Sequence, residues 1–199
     1  MEAACRVSGI LAIVDPAGRV PDVGALAARM GALMSHRPWH TFEWAAPESR
    51  SALGRVGIGI FNAAPQPLWS PDRSVAVTLA GEVERLDGAV SGALAPSDPA
   101  RVLDAYARHG EDFARHLEGA FVAAVWLADS RRLLIANDRF GLYPLYLARR
   151  PGTFLCAPEM KAVLADPSLP RHLDRTALAE YLRFQHLLGE RTFFEEVEL

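Results

Sequence analysis

Residues 8–15 (SGILAIVD) form a short apolar, β-branched run, and Pro16-Ala17-Gly18 stops it. A run of this length bounded by turn residues predicts a buried strand. The next stretch has a different period. Val23, Leu26, Ala27, Met30, Leu33 and Met34 recur at three- and four-residue spacing, which predicts a helix over 22–35 with one apolar face and Asp22 as its cap. Residues 53–62 (LGRVGIGIFN) and 74–80 (SVAVTLA) alternate as strands do, the second closed by Gly81. Gly57 and Gly59 mark points of close approach by backbone or ligand. Residues 88–96 turn to Gly, Ala, Ser and Pro and read as a surface loop.

Ser97-Asp98-Pro99 predicts a helix start, with a capping side chain and proline at the first helical position; Val102, Leu103 and Tyr106 supply its stripe and Gly110 its stop. Residues 121–127 and 133–136 predict one hairpin, and 145–148 with 153–156 a second around Arg150-Pro151-Gly152. Short helices are expected at 159–164 and 176–184. Hairpins interleaved with helices argue an α+β fold, antiparallel sheets with helices outside.

The chain has 199 residues, room for one large domain or two small ones, and no linker divides it. It is therefore read as a single domain over 1–199. Half the residues are hydrophobic and 23% charged, which favours a packed core over disorder. A net charge of −3 gives no reason to expect nucleic acid or an anionic membrane as partner. No apolar run approaches the roughly 20 residues of a membrane helix, and the N-terminus lacks a signal-peptide pattern. Cys5 and Cys156 lie far apart without metal-like spacing, so they read as free thiols in a reducing, cytoplasmic compartment.

Several motifs occur in a recognisable order: SGILAIVDPAG (8–18), His36-Arg37-Pro38, residues 53–67 ending in Gln66-Pro67, Ala80-Gly81-Glu82, Ser97-Asp98-Pro99, LEGAF (117–121), NDRFGLYPLY (137–146) and APEMKAVL (157–164). Together they resemble the N-terminal class II glutamine amidotransferase domain of the asparagine synthetase family. The resemblance implies an N-terminal-nucleophile hydrolase fold, a four-layer αββα sandwich with two antiparallel sheets. It also implies glutamine hydrolysis, with the ammonia consumed by a C-terminal or separate ATP-dependent synthetase domain. ATP and Mg are expected only in that domain, and no cofactor here. The chain carries no SGGxDS-type pyrophosphate loop, so an isolated domain or half of a split system is expected. A homodimer stays open.

Working members use an N-terminal cysteine whose free α-amino group serves as base. Here the best-aligned position is Ser8, an internal serine with an amide in place of the amine. Cys5 is the other candidate nucleophile, if Met1–Ala4 were removed, although Arg6 would then follow it where the family has a small residue.

The resemblance places Gly57 where the family has its carboxylate-binding arginine, a bidentate contact glycine cannot make. Ala80 stands in for the oxyanion-hole asparagine, beside Gly81; losing one such donor typically costs about 100- to 1,000-fold in turnover. Glu82 is retained but could be merely solvated. Asp98 would hold the substrate ammonium, and is read here rather as the helix cap. Arg139 is expected to pair with Asp138 or Glu159.

A catalytically silent scaffold for an amide-forming synthetase is the expected function, as in β-lactam synthetases and lasso-peptide cyclases. An active glutaminase through Cys5 and a small-ligand module, its pocket enlarged by Gly57 and Ala80, are the alternatives.

Overall fold

The computed structural model describes residues 8–60, 62–90 and 97–199. Cys5, as well as residues 91–96 of the expected surface loop, lie outside the described residues. Ten strands and four α-helices follow one another among them: β1 (Gly9–Val14), α1 (Val23–Met34), β2 (Thr41–Ala45), β3 (Ser51–Gly57), β4 (Leu68–Trp69), β5 (Val75–Leu86), β6 (Ala89–Val90), α2 (Asp98–His109), β7 (Leu117–Leu127), β8 (Arg132–Asn137), β9 (Tyr146–Arg150), β10 (Thr153–Ala157), α3 (Met160–Val163) and α4 (Arg175–Phe184). A 3-10 helix, Gly110–His116, joins α2 to β7.

The strands form two antiparallel sheets, ordered β2-β3-β1-β10-β9 and β4-β5-β7-β8, with β6 hairpinned onto β5. Side-chain alternation sorts residues into three apolar layers. Leu11 and Ile13 of β1 face α1 and α3, in a cluster with Leu26, Met30 and Val163. Ile10 and Ala12 point the other way, meeting Ala76, Ala80, Val122, Ala124 and Trp126 of the second sheet. Val77 and Leu79 of β5 and Ala123 and Val125 of β7 face outward, toward Val102 and Ala105 of α2 and Phe113 of the 3-10 helix. This is the expected four-layer α+β sandwich. Because β1 is buried on both faces, its sequence reads as a continuous apolar run rather than an alternation.

The α1 cap is as expected: Asp22 Oδ1 accepts from the Ala25 amide at 2.9 Å. Asp15, at the end of β1, is fully buried and accepts from the amides of Val20 (2.9 Å) and Arg19 (3.1 Å) and from the Thr153 hydroxyl (2.6 Å), with the Arg50 guanidinium completing the set. The Asp-Pro-Ala-Gly turn thus ties β1 to the β3 and β10 sides of its sheet. Gly9 packs so closely on Pro158 that a Cβ there would lie 2.4 Å from the proline ring.

Several boundaries differ from expectation. The strand expected over 53–62 runs only through Ser51–Gly57, because the backbone turns away into the left-handed region at Gly59, φ 78°. Gly81 does not close β5. Its φ of 97° is accommodated within a ladder that goes on to pair Glu82 with Ala120 and Leu86 with Leu117. Strands β2, β4 and β6 and the 3-10 helix were not foreseen, β6 falling within the loop expected over 88–96. β2 and β4 are held by pairing with the strands that follow them, β3 and β5, rather than by a strong pattern of their own.

No helix among the described residues is long and apolar enough to cross a membrane.

Candidate functional site

At one end of the inter-sheet layer, Ser8, Arg55, Gly57, Ile58, Asn62, Ala80 and Gly81 line a cavity of about 10 Å³. The fold therefore brings together four of the expected positions, Ser8, Gly57, Ala80 and Gly81, from three strands of both sheets. Register explains why. Ile10 opposes Arg55 across the β1–β3 ladder, and residues two apart share a face, so Ser8 meets the end of β3. Glu82, one residue past Gly81, is instead exposed and takes no part in the lining.

The cavity is small because of Arg55, a residue the sequence reading passed over. Arg55 sits two places before Gly57 on the same strand face and is 6% exposed. Its guanidinium lies beside Gly57: a Cβ built on that glycine would be 3.5 Å from Arg55 Nη2 and 3.6 Å from Cζ. The Nη1 group donates to the Asn62 carbonyl at 2.8 Å, and Nη2 lies 2.8 Å from Glu43 Oε1, directly across the β2–β3 ladder. Gly57 and Ala80 thus do not enlarge a pocket. The space beside Gly57 is taken by the Arg55 guanidinium, paired with Glu43.

Asn62 closes the other wall. Its Nδ2 donates to the Gly81 carbonyl (2.8 Å) and to Asp98 Oδ2 (3.0 Å). Asp98 is therefore not the helix cap. Ser97 holds that position, although its hydroxyl makes no capping bond, and Asp98 turns its carboxylate toward Asn62, with Arg101 3.8 Å away. Proline is consequently the second helical residue rather than the first. Period-2 spacing was the signal that could have found Arg55. Asn62 carried none, because its contacts are to chain 19 and 36 residues further on.

A hydroxyl becomes a useful nucleophile only with a base in reach. Ser8 is 8% exposed, its hydroxyl makes no hydrogen bond among the described residues, and the described residues of the cavity lining include no carboxylate, imidazole or amine. Among the described lining residues the charged side chain is that of Arg55, a guanidinium that offers donors and no acceptor.

The other sequence motifs are used structurally. His36 Nε2 bonds Glu159 Oε1 at 2.6 Å, and Lys161 Nζ lies 2.9 Å from Oε2. Glu159 is thereby engaged with His36 and Lys161, and Arg139 forms no ion pair among the described residues. Asp138 instead accepts from the amides of Phe140 (2.9 Å) and Leu142 (3.1 Å), pinning the turn between β8 and β9. Cys156 is a free, buried thiol pushed up to about 12 by desolvation. A larger cleft of about 700 Å³ opens between the sheets at β8 and β9, lined by Leu133, Ile135, Tyr143, Leu147, Phe154 and others.

This geometry has relatives. A family model described as a glutamine amidotransferase domain matches residues 5–199. A putative glutamine-hydrolyzing asparagine synthetase of Mycobacterium tuberculosis is 31% identical over 217 aligned residues, covering 95% of this chain and 33% of that protein. Asparagine synthetase 3 of Bacillus subtilis is 38% identical over 84 residues, 42% of this chain and 14% of the relative. The chain thus spans a third or less of the length of these relatives. Among solved structures, a glutamine phosphoribosylpyrophosphate amidotransferase from B. subtilis superposes with a TM-score of 0.54 at 16% identity, over 83% of this chain and 45% of that one. A chain whose ordered motifs, two-sheet sandwich and family match agree in this way belongs to the class II glutamine amidotransferase domains of the asparagine synthetase family.

Proposed function

We propose that this domain does not hydrolyse glutamine and instead serves as the structural companion of an ATP-dependent, amide-forming synthetase unit. The observation that supports the reading is the Arg55–Glu43 pair beside Gly57, the position the resemblance gives to the substrate clamp, together with a cavity there of about 10 Å³. That volume is about one water molecule's worth, far below the 300–1,000 Å³ typical of small-molecule sites. The lack of a base near Ser8 among the described residues and the alanine at position 80 point the same way.

A synthetase with its nitrogen nucleophile already in the substrate needs no ammonia, so loss of the glutaminase site is tolerated. The partner unit, fused or separate, would hold the ATP and Mg, and this domain none. Two apolar surfaces support such a contact: Phe140 (81% exposed) and Leu142 (61%) beside the larger cleft, and Leu178, Tyr181, Leu182 and Phe184 on α4.

Purified protein incubated with glutamine and assayed for glutamate should show no turnover above a heat-treated control. Turnover that is abolished by Cys5→Ala, with an intact mass placing Cys5 at the N-terminus, would overturn the reading in favour of an active glutaminase.

A further inference from the structure

Away from the cavity, three side chains from three elements converge. Asp87 occupies the β5–β6 turn in the left-handed region (φ 51°), His109 ends α2, and His116 ends the 3-10 helix. Gly110, with φ 57° and ψ −133°, breaks the helix so that the chain folds back and the two histidines meet. Their rings stack with centroids 3.5 Å apart and planes 2° from parallel. Both address one carboxylate: His109 Nε2 is 3.0 Å and His116 Nδ1 2.8 Å from Asp87 Oδ1. The Asp87 amide also donates to the His116 carbonyl at 3.0 Å, fixing the turn against the 3-10 helix.

We propose that Asp87, His109 and His116 form a site for a borderline divalent transition-metal ion such as Zn²⁺ or Ni²⁺. The donor set, two imidazoles and a carboxylate, is the one such ions prefer over Mg²⁺ or Ca²⁺. One candidate donor atom from each residue lies within 4.8 Å of the others. Ligands at 2.0–2.1 Å in a tetrahedral shell stand about 3.3 Å apart, so closure asks for shifts of an ångström or so. The rings must open from parallel to aim their lone pairs at one point. Each neutral imidazole moves its proton to the nitrogen that does not bind.

Partial exposure permits this. The side chains of His109, His116 and Asp87 are 25%, 37% and 34% exposed, so the ion and its remaining water ligands reach them from solvent. Arg108 Nη1 lies 3.4 Å from Asp87 and is the competing cation, but its Nη2 is held 2.6 Å from Asp104. The site would clamp the end of α2 to the turn after β5. The cavity lies near the other end of that helix, about 16 Å away at 1.5 Å per residue.

The test titrates the metal-free full chain with Zn²⁺ and with Ni²⁺ by calorimetry and follows thermal unfolding with and without the ion. One ion per chain should bind and raise Tm. Asp87→Asn and His116→Ala should each weaken binding at least about tenfold, Arg108→Ala should strengthen it, and His172→Ala, in a second histidine–glutamate cluster, should leave it unchanged. Co²⁺ added to the unsubstituted protein should broaden the ring resonances of two histidines, a readout independent of any variant's folding. Absence of stoichiometric binding, binding indifferent to His116→Ala, or binding lost with His172→Ala would overturn the proposal.

Discussion

The guanidinium of Arg55 stands in the space beside Gly57, 3.5 Å from where that residue's Cβ would be. Arg55 lies two places before Gly57 on the same strand face, and its guanidinium is paired with Glu43. The two positions should therefore be energetically coupled. Gly57→Arg should destabilise the fold by about 1–3 kcal/mol through overcrowding, and Arg55→Ala by about 2–4 kcal/mol through a cavity and an unpaired Glu43. The double variant should cost less than the sum by at least about 1 kcal/mol. Urea unfolding of the four proteins measures the cycle; strict additivity would refute the shared space.

Gly81 is irreplaceable for a different reason. A Cβ there would lie 2.1 Å from the Ala120 carbonyl oxygen, on a backbone with φ 97°. Gly81→Ala is expected to cost about 2–4 kcal/mol, because neither strand of the central pair can yield. Thermal unfolding checks it, and a neutral substitution would show that the ladder yields.

Thr78 is fully buried in β5, and its hydroxyl has no hydrogen-bond partner among the described residues. Thr78→Val keeps the shape and removes the unsatisfied group, so it should stabilise the protein by about 1 kcal/mol. A loss of stability in urea would mean that the hydroxyl is partnered.

Acid should release the Asp15 anchor. Burial pushes its carboxyl up, but the hydrogen bonds from Thr153, Val20, Arg19 and Arg50 outweigh this and hold it below the ordinary value of 3.8. The group's contribution is thus present above pH 3.8 and is lost as pH falls toward the folded value. Asp15→Asn should cost about 3 kcal/mol near neutrality, and the gap from the unsubstituted protein should narrow below pH 4. A gap independent of pH would contradict the assignment.

Cys156, fully buried and pushed up to about 12, should not react with a thiol reagent at pH 8 while the protein is folded. Unfolding in urea should expose it. Mass spectrometry of labelled peptides separates it from Cys5, and fast native labelling at Cys156 would contradict the buried placement.

The sequence by itself determined most of the local structure. The apolar period between residues 23 and 34 and the Asp22 side chain define α1 and its start, since a helix is decided by neighbours three and four residues apart. The hairpins around residues 128–131 and 150–152 were legible for the same reason. The ordered motifs also carried the family resemblance, and with it the expectation that Ser8, Gly57 and Ala80 stand at the glutamine site.

Partners from other elements were not legible. That Arg55 beside Gly57 meets Glu43 depends on the β2–β3 register, and Asp98 turns its carboxylate to Asn62, 36 residues earlier in the chain. His109 and His116 meet Asp87 only through a helix break and a hairpin turn that coincide in space. Local pattern carries the free energy of single elements; the contacts that fill or close a site are long-range, and only the packed tertiary structure sets them.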